Sequence, residues 1–162
     1  MIHRQIKTAI KDYVRARRKL IALGENHPTL IGGNDNIIGR IGEYIAICYL
    51  EELGQKPRKV GSKSNKGFDL SEGRRLTQVK VITQENKNGR NVRLKKPWTQ
   101  FVLIELGDDY EPTAIGLLTA KQHNKALREH SNWSKEPIVK RSMLGDSGLL
   151  GAYGEVTTCF KY

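Results

Sequence analysis

The sequence predicts an α/β domain in which helices flank a mixed β-sheet. Two observations predict this class. Apolar residues recur at helical spacing in two segments before residue 54, and they alternate with polar residues in segments that follow residue 67. The length of 162 residues suits a single domain with its own core. Within it we distinguish a basic N-terminal helix and loop (1–35), a central region (36–120) and a C-terminal helix and strand (121–162).

Two helices are predicted at the start of the chain. The first runs from Ile2 to about Leu23, carries a stripe of Lys and Arg, and ends at Gly24. The second covers residues 36–53 and contains Glu43, which lies off the apolar stripe on a face of small and apolar residues. A carboxylate there is costly to bury unless it is paired or binds a metal. An ion pair with a nearby Lys or Arg and a role as metal ligand are both open for Glu43.

The period changes to two after a basic loop at residues 61–67. Residues 68–70 are predicted to form a strand with Asp69 opposite its apolar neighbours, residues 71–74 a turn, and residues 76–83 a second strand. On the second strand Gln78 and Lys80 share one face and two valines share the other, so neither polar residue would contribute to a core. Residues 84–97 are predicted as a hairpin tip or loop. Strands at 101–106 and 114–118, a helix at 121–130 and a strand at 155–160 complete the prediction.

The charge distribution favours a polyanionic partner. The chain has 28 Lys and Arg against 17 Asp and Glu, a formal net charge of +11. Residues 56–96 hold thirteen basic and three acidic residues, whereas residues 101–120 hold four acidic residues and no basic one. Such asymmetry predicts an electropositive face suited to nucleic acid, ahead of a membrane surface. A solvated surface is the simpler alternative for this charge.

Membrane and disulfide-rich classes are not expected. The longest apolar run, Tyr44 to Leu50, has seven residues, against the roughly 20 that a membrane helix needs. The N-terminus has no signal-peptide pattern. Cys48 and Cys159 lack a CxxC partner, which argues against a disulfide scaffold and a cysteine zinc site. We therefore expect a cytoplasmic protein.

Four polar positions carry the chemistry: Glu43, Asp69, Gln78 and Lys80. If the strands that carry Asp69 and Gln78 pair as a hairpin, their polar faces coincide. They then offer carboxylate and amide oxygens, with an ammonium group one step away. Magnesium-assisted hydrolysis of a phosphodiester requires this combination of groups.

These residues resemble the PD-(D/E)xK nuclease superfamily, whose fold is restriction-endonuclease-like. The matching segments are Gly42-Glu43-Tyr44 on the helix, Gly67-Phe68-Asp69-Leu70 on the first strand and Gln78-Val79-Lys80-Val81 on the second. The resemblance covers residues 36–120. It implies that Asp69 is the central ligand of Mg²⁺ (or Mn²⁺), Glu43 an accessory ligand, Gln78 a ligand at the usual Asp/Glu position, and Lys80 the catalytic lysine. The neutral amide should lower metal affinity, yet branches such as Mrr-like restriction enzymes also carry Gln-x-Lys.

The resulting expectation is a magnesium-dependent endonuclease that hydrolyses DNA. The alternatives are a non-catalytic nucleic-acid-binding module on a degenerate nuclease fold and an RNA-cleaving toxin. By analogy with nucleases of this fold, a homodimer would let each subunit cut one strand. The candidate contacts to nucleic acid are all basic residues: Lys63, Lys66, Arg74, Arg75, Arg93, Lys95 and Lys96.

Aromatic and histidine side chains give weaker signals. Trp98, Trp133 and Tyr153 could stack on bases, although we expect at least one of the two tryptophans in the core. His123 and His130 lie seven residues apart on the last predicted helix. Because no third ligand stands at zinc spacing, we expect both histidines at the surface.

Overall fold

A computed structural model describes residues 2–26, 37–60, 67–83, 92–130 and 133–162. The chain divides into two compact units, residues 1–41 and 42–162. No helix in these ranges is long and apolar enough to cross a membrane.

The first unit contains a long basic helix. Helix α1 spans Ile2–Asn26 and extends past Gly24, where the sequence predicted its end. Glycine is tolerated inside a helix at a cost of about 1 kcal/mol, so Gly24 alone does not stop the helix. Ile10 and Val14, one turn apart, are buried. The second helix, α2, spans Ile37–Glu52 close to its predicted bounds, and the boundary between the two units falls within it.

The second unit is built on a six-stranded mixed sheet with the strands in chain order. The strands are β1 (Arg58–Lys59), β2 (Leu70–Glu72), β3 (Arg75–Ile82), β4 (Gln100–Leu106), β5 (Pro112–Thr119) and β6 (Glu155–Thr158). Only β3 and β4 run parallel; the other neighbouring pairs are antiparallel. Helix α3 (Ala120–Glu129) follows β5, and a 3₁₀ helix (Arg141–Leu144) and helix α4 (Leu149–Tyr153) precede β6. The α/β class with a mixed sheet and flanking helices is confirmed.

Several local predictions are wrong. Because β3 and β4 are parallel, the connection between them is not a hairpin. The alternative prediction of a loop at residues 84–97 falls mostly on residues 84–91, which lie outside the described residues. Residues 71 and 72 were predicted in a turn but belong to β2, and Asp69 was predicted in that strand but precedes it. Strand β6 ends at Thr158, two residues before its predicted end. Three short elements were not predicted: β1, the 3₁₀ helix and α4, which span two, four and five residues. Elements this short contain too few residues to establish a hydrophobic period.

Both faces of β3 are covered, which changes the interpretation of Gln78. In the parallel ladder Gln78 pairs with Phe101 and Lys80 pairs with Leu103. Phe101 and Leu103 belong to a core cluster that includes residues of α3 and α4. Gln78 is only 6% exposed, so the expectation that it lies outside a core is wrong. A parallel strand pair in an α/β protein is normally covered on both faces, and the alternating pattern hid this.

Candidate active site

Asp69 stands where β2 and β3 begin to separate. Leu70 pairs with Thr77 in the antiparallel register, and the Asp69 amide donates to the Thr77 carbonyl at 2.8 Å. The Asp69 carboxylate then accepts a hydrogen bond from the Val79 amide, also at 2.8 Å. The carboxylate thus takes the place of a backbone acceptor at the end of the ladder. It is held against β3 at Val79, the residue between Gln78 and Lys80.

The surroundings of Asp69 disfavour its ionised form. Burial raises the pKa of Asp69 and is the largest cause, and the negative charge of Glu43 raises it further. The Val79 amide and the charges of Lys80 and Lys59 lower it, yet the net direction is upward. Glu43, Lys80 and Lys59 therefore lie within electrostatic range of Asp69. A cation beside Asp69 would favour the ionised carboxylate.

Gln78 carries a buried oxygen without a partner. Its Oε1 is fully buried and accepts no hydrogen bond from the described residues. A buried amide oxygen left in this state costs about 1–3 kcal/mol. A neighbouring glutamine shows the ordinary arrangement: Gln100, on β4, is also buried, and its Nε2 donates to Gln55 at 3.0 Å and to Thr77 at 2.8 Å. Gln78 therefore has a buried oxygen available for a ligand.

Helix α2 brings Glu43 to this group because Gly42 lets the helix lie close to β3. A Cβ atom at residue 42 would overlap the Val81 side chain. Glu43 forms an ion pair with Lys59 of β1, with 2.5 Å between Oε2 and Nζ. Oε2 is itself buried, so the Lys59 ammonium group supplies the positive charge that offsets it. The ion-pair alternative for Glu43 is observed, and Lys59 is a site residue that the sequence analysis missed.

Lys80 completes the group from β3. It is half-buried, and its ammonium group has neither an ion-pair partner nor a hydrogen bond among the described residues. Its charge still lowers the pKa of Asp69. The position of the Lys80 side chain is therefore set by its place on β3 and not by a salt bridge. Its ammonium group can still donate to a ligand.

A basic segment lies against the loop that leads to Asp69. Gly67 has φ 104°, a conformation that favours glycine, and a Cβ atom there would lie 3.0 Å from Pro97. This contact places Lys95 and Lys96, the two residues before the proline, near the start of the Asp69 segment. Lys96 covers the ring of Trp98, with Nζ 3.7 Å from the ring centroid, and burial lowers the pKa of Lys96.

The other predicted phosphate contacts are placed differently. Arg74 and Arg75 are exposed at the β2–β3 turn, and Arg75 pairs with Glu72 at 2.6 Å. Arg93 is exposed, and its guanidinium donates to the Glu136 carbonyl at 3.2 Å. Lys63 and Lys66 lie outside the described residues. The described candidates are thus at the surface, but the structure does not gather them into one cluster.

The donor set fits a hard cation that keeps water or phosphate ligands. No group of three or more His, Cys, Asp or Glu residues in the described ranges could hold a metal by itself. Magnesium, however, is usually held by one or two carboxylates together with water and substrate phosphate. Asp69 and Glu43 carry carboxylates and Gln78 carries an amide oxygen, which are donors of the type that magnesium prefers. They do not match zinc, which prefers nitrogen and sulfur donors.

The predictions for the histidine and aromatic residues are partly confirmed. Trp98 is buried in the core, as expected for at least one tryptophan. His123 was expected at the surface but is 1% exposed, because its position on α3 faces the core cluster. His130 is exposed as expected and stacks on Trp133 with a centroid distance of 5.0 Å. Neither Cys48 nor Cys159 forms a disulfide.

Comparison of the chain with protein-family models returns no match, and neither does comparison with curated proteins.

Proposed function

We propose that the protein is a magnesium-dependent endonuclease that hydrolyses DNA on a restriction-endonuclease-like core. The observation that carries the proposal is the buried Gln78 oxygen without a partner, next to the strand position where Asp69 is fixed on the Val79 amide. A strand that serves only packing has no need for a glutamine that costs free energy at this position. The resemblance of the three motifs to the PD-(D/E)xK superfamily supports the same conclusion.

The roles follow from the chemistry of each group. Asp69 and Gln78 would hold Mg²⁺ through their oxygens, and Glu43 would serve as accessory ligand after release from Lys59. The chemistry supplied by magnesium when it is bound there is polarisation of the scissile phosphate and acidification of water. Lys80, whose ammonium group has no partner among the described residues, would donate to the attacking water or to the charge that develops on the phosphate.

DNA is proposed to approach along the basic segment that precedes β4. Lys95 lies two residues before Pro97, which touches Gly67, and Gly67 is two residues from Asp69. Phosphate contacts at this segment would position the backbone without sequence discrimination. The excess of ten basic residues between positions 56 and 96 supports a nucleic-acid partner, with thirteen basic residues against three acidic ones.

The test is incubation of supercoiled plasmid with the full chain in Mg²⁺, in Mn²⁺ and in EDTA. Nicking in both metals and none in EDTA is the expected result. Lys80→Met should abolish nicking, whereas Lys121→Met should not, because Lys121 is an exposed lysine of α3 without a partner in the described structure. DNA binding without cleavage would favour the non-catalytic module instead, and cleavage confined to an RNA substrate would favour the toxin.

A further inference from the structure

A cavity of about 570 Å³ lies apart from the residues proposed for cleavage. Its wall includes His123 from α3, Met143 from the 3₁₀ helix, and Arg93, Trp133 and Lys140 from the connecting segments. None of the candidate metal ligands lines it. The volume lies within the range of small-molecule sites, about 300–1,000 Å³.

The charge of the cavity wall suits an anion. Arg93 and Lys140 contribute positive charge, and none of the described residues that line the wall is acidic. Three serines, Ser134, Ser142 and Ser147, add hydroxyl groups that can donate to phosphate oxygens. The polar groups of this wall therefore suit a negatively charged ligand with several acceptor oxygens.

His123 supplies a second, independent observation. The residue is 1% exposed and lines the cavity, and neither Nδ1 nor Nε2 has a hydrogen-bond partner in the described structure. Its contact with the Ser134 backbone falls outside hydrogen-bond geometry. Trp98 packs beside the imidazole, with 5.4 Å between the two ring centroids. A neutral imidazole has one donor and one acceptor, which matches the edge of a nucleobase.

Trp133 supplies the aromatic surface. It stacks on His130 with an angle of 23° between the rings and meets Tyr153 edge-on at 5.5 Å. Tyr153 is in turn held by a 2.6 Å hydrogen bond from its hydroxyl to Glu129. The indole is thereby fixed by its neighbours while it lines the cavity, so stacking a base on it requires little further ordering.

We propose that this cavity binds a nucleoside monophosphate unit, with the base against Trp133 and His123 and the phosphate on Arg93 and Lys140. The unit is a free nucleotide or a base turned out of a DNA strand, since both present the same chemistry. Binding here requires no metal and no cleavage at Asp69.

The test uses the fluorescent deoxynucleotide 2-aminopurine monophosphate in EDTA, so that the candidate metal site cannot contribute. Saturable quenching is expected as the base stacks. Trp133→Leu should weaken binding about tenfold or more, and Trp133→Phe should retain most of it. Lys140→Met should weaken binding several-fold, whereas Lys121→Met, which alters an exposed lysine outside the cavity wall, should leave it unchanged.

Competition and oligonucleotides complete the experiment. Unlabelled nucleotide should displace the probe at concentrations at least about tenfold lower than orthophosphate or the nucleoside alone require. An unlabelled mismatched duplex, but not a fully paired one, should also displace the probe if the source is a turned-out base. Failure of both duplexes to displace it identifies a soluble ligand. Absence of saturable quenching, or equal displacement by orthophosphate, overturns the proposal. If Trp133→Leu does not fold, Lys140→Met and Trp133→Phe decide. Plasmid cleavage by the same preparation shows separately whether the proposed nuclease activity stands.

Discussion

Replacement of Gln78 by methionine should stabilise the protein in the absence of divalent metal. Methionine matches the length of glutamine and removes the amide oxygen that is buried without a partner. Relief of that cost should raise the free energy of unfolding by about 1–3 kcal/mol. For a chain of this size, each 1 kcal/mol corresponds to about 2–4 °C in Tm.

Magnesium should reduce the stability advantage of the variant. A ligand at 100 times its Kd stabilises the native state by about 2.7 kcal/mol, and a tenfold loss of affinity reduces this gain to about 1.4 kcal/mol. Gln78→Met, which removes one of three oxygen ligands, should therefore show a smaller magnesium-induced rise in Tm than the wild type. The assay is thermal unfolding of both proteins in EDTA and in a magnesium series.

Gln100→Met is the matched control. Gln100 is also buried, one strand away, but its amide donates two hydrogen bonds. The substitution should lower the free energy of unfolding by about 1–3 kcal/mol in EDTA and leave the magnesium-induced shift unchanged. If Gln78→Met is destabilised as much as Gln100→Met and keeps the wild-type response to magnesium, the assignment of Gln78 to the site is refuted.

Three further predictions concern the surroundings of the site. Lys59→Met should lower the half-saturating magnesium concentration in a calorimetric titration by a few-fold, because a partly exposed ion pair worth about 1 kcal/mol or less no longer competes for the carboxylate. Gly42→Ala should lower Tm by several degrees because its Cβ atom would overlap Val81, whereas Gly39→Ala, which meets nothing within 4 Å, should raise Tm slightly; equal shifts would exclude close packing at Gly42. Burial lowers the pKa of His123 in the folded protein. The stability that its neutral form contributes is therefore complete above about pH 6.5 and is lost as the pH falls toward the lower pKa of the folded state. Denaturant titrations from pH 7.5 to 5 should show the free energy of unfolding fall with pH, and His123→Gln should reduce that fall.

The elements that the sequence predicted well are those long enough to display a period. Helix α2 and strands β3, β4 and β5 each span seven or more residues, and their observed ends lie within two residues of the predicted ones. The parallel pairing of β3 with β4 was missed because strand direction is set by the crossover and not by either strand's own pattern.

The site was predictable in its residue types and less so in its environment. Gly42 and Gly67 were part of the quoted motifs, and only the structure shows that each permits a close approach, to Val81 and to Pro97. Lys59 was missed because its ion pair with Glu43 joins two elements sixteen residues apart, without a sequence pattern. The burial of Gln78 was missed because alternation on one strand does not reveal a second covering layer.

Asp69→Asn tests the central claim most directly, with Asp109→Asn as its counterpart. Both carboxylates accept a backbone amide, Asp69 from Val79 at 2.8 Å and Asp109 from Glu111 at 3.0 Å, and asparagine keeps an acceptor in each place. The measurement is the single-turnover rate of plasmid nicking in magnesium. The proposal predicts that Asp69→Asn loses about two orders of magnitude or more while Asp109→Asn cleaves at the wild-type rate. Equal rates in the two variants, with both proteins folded, would contradict it.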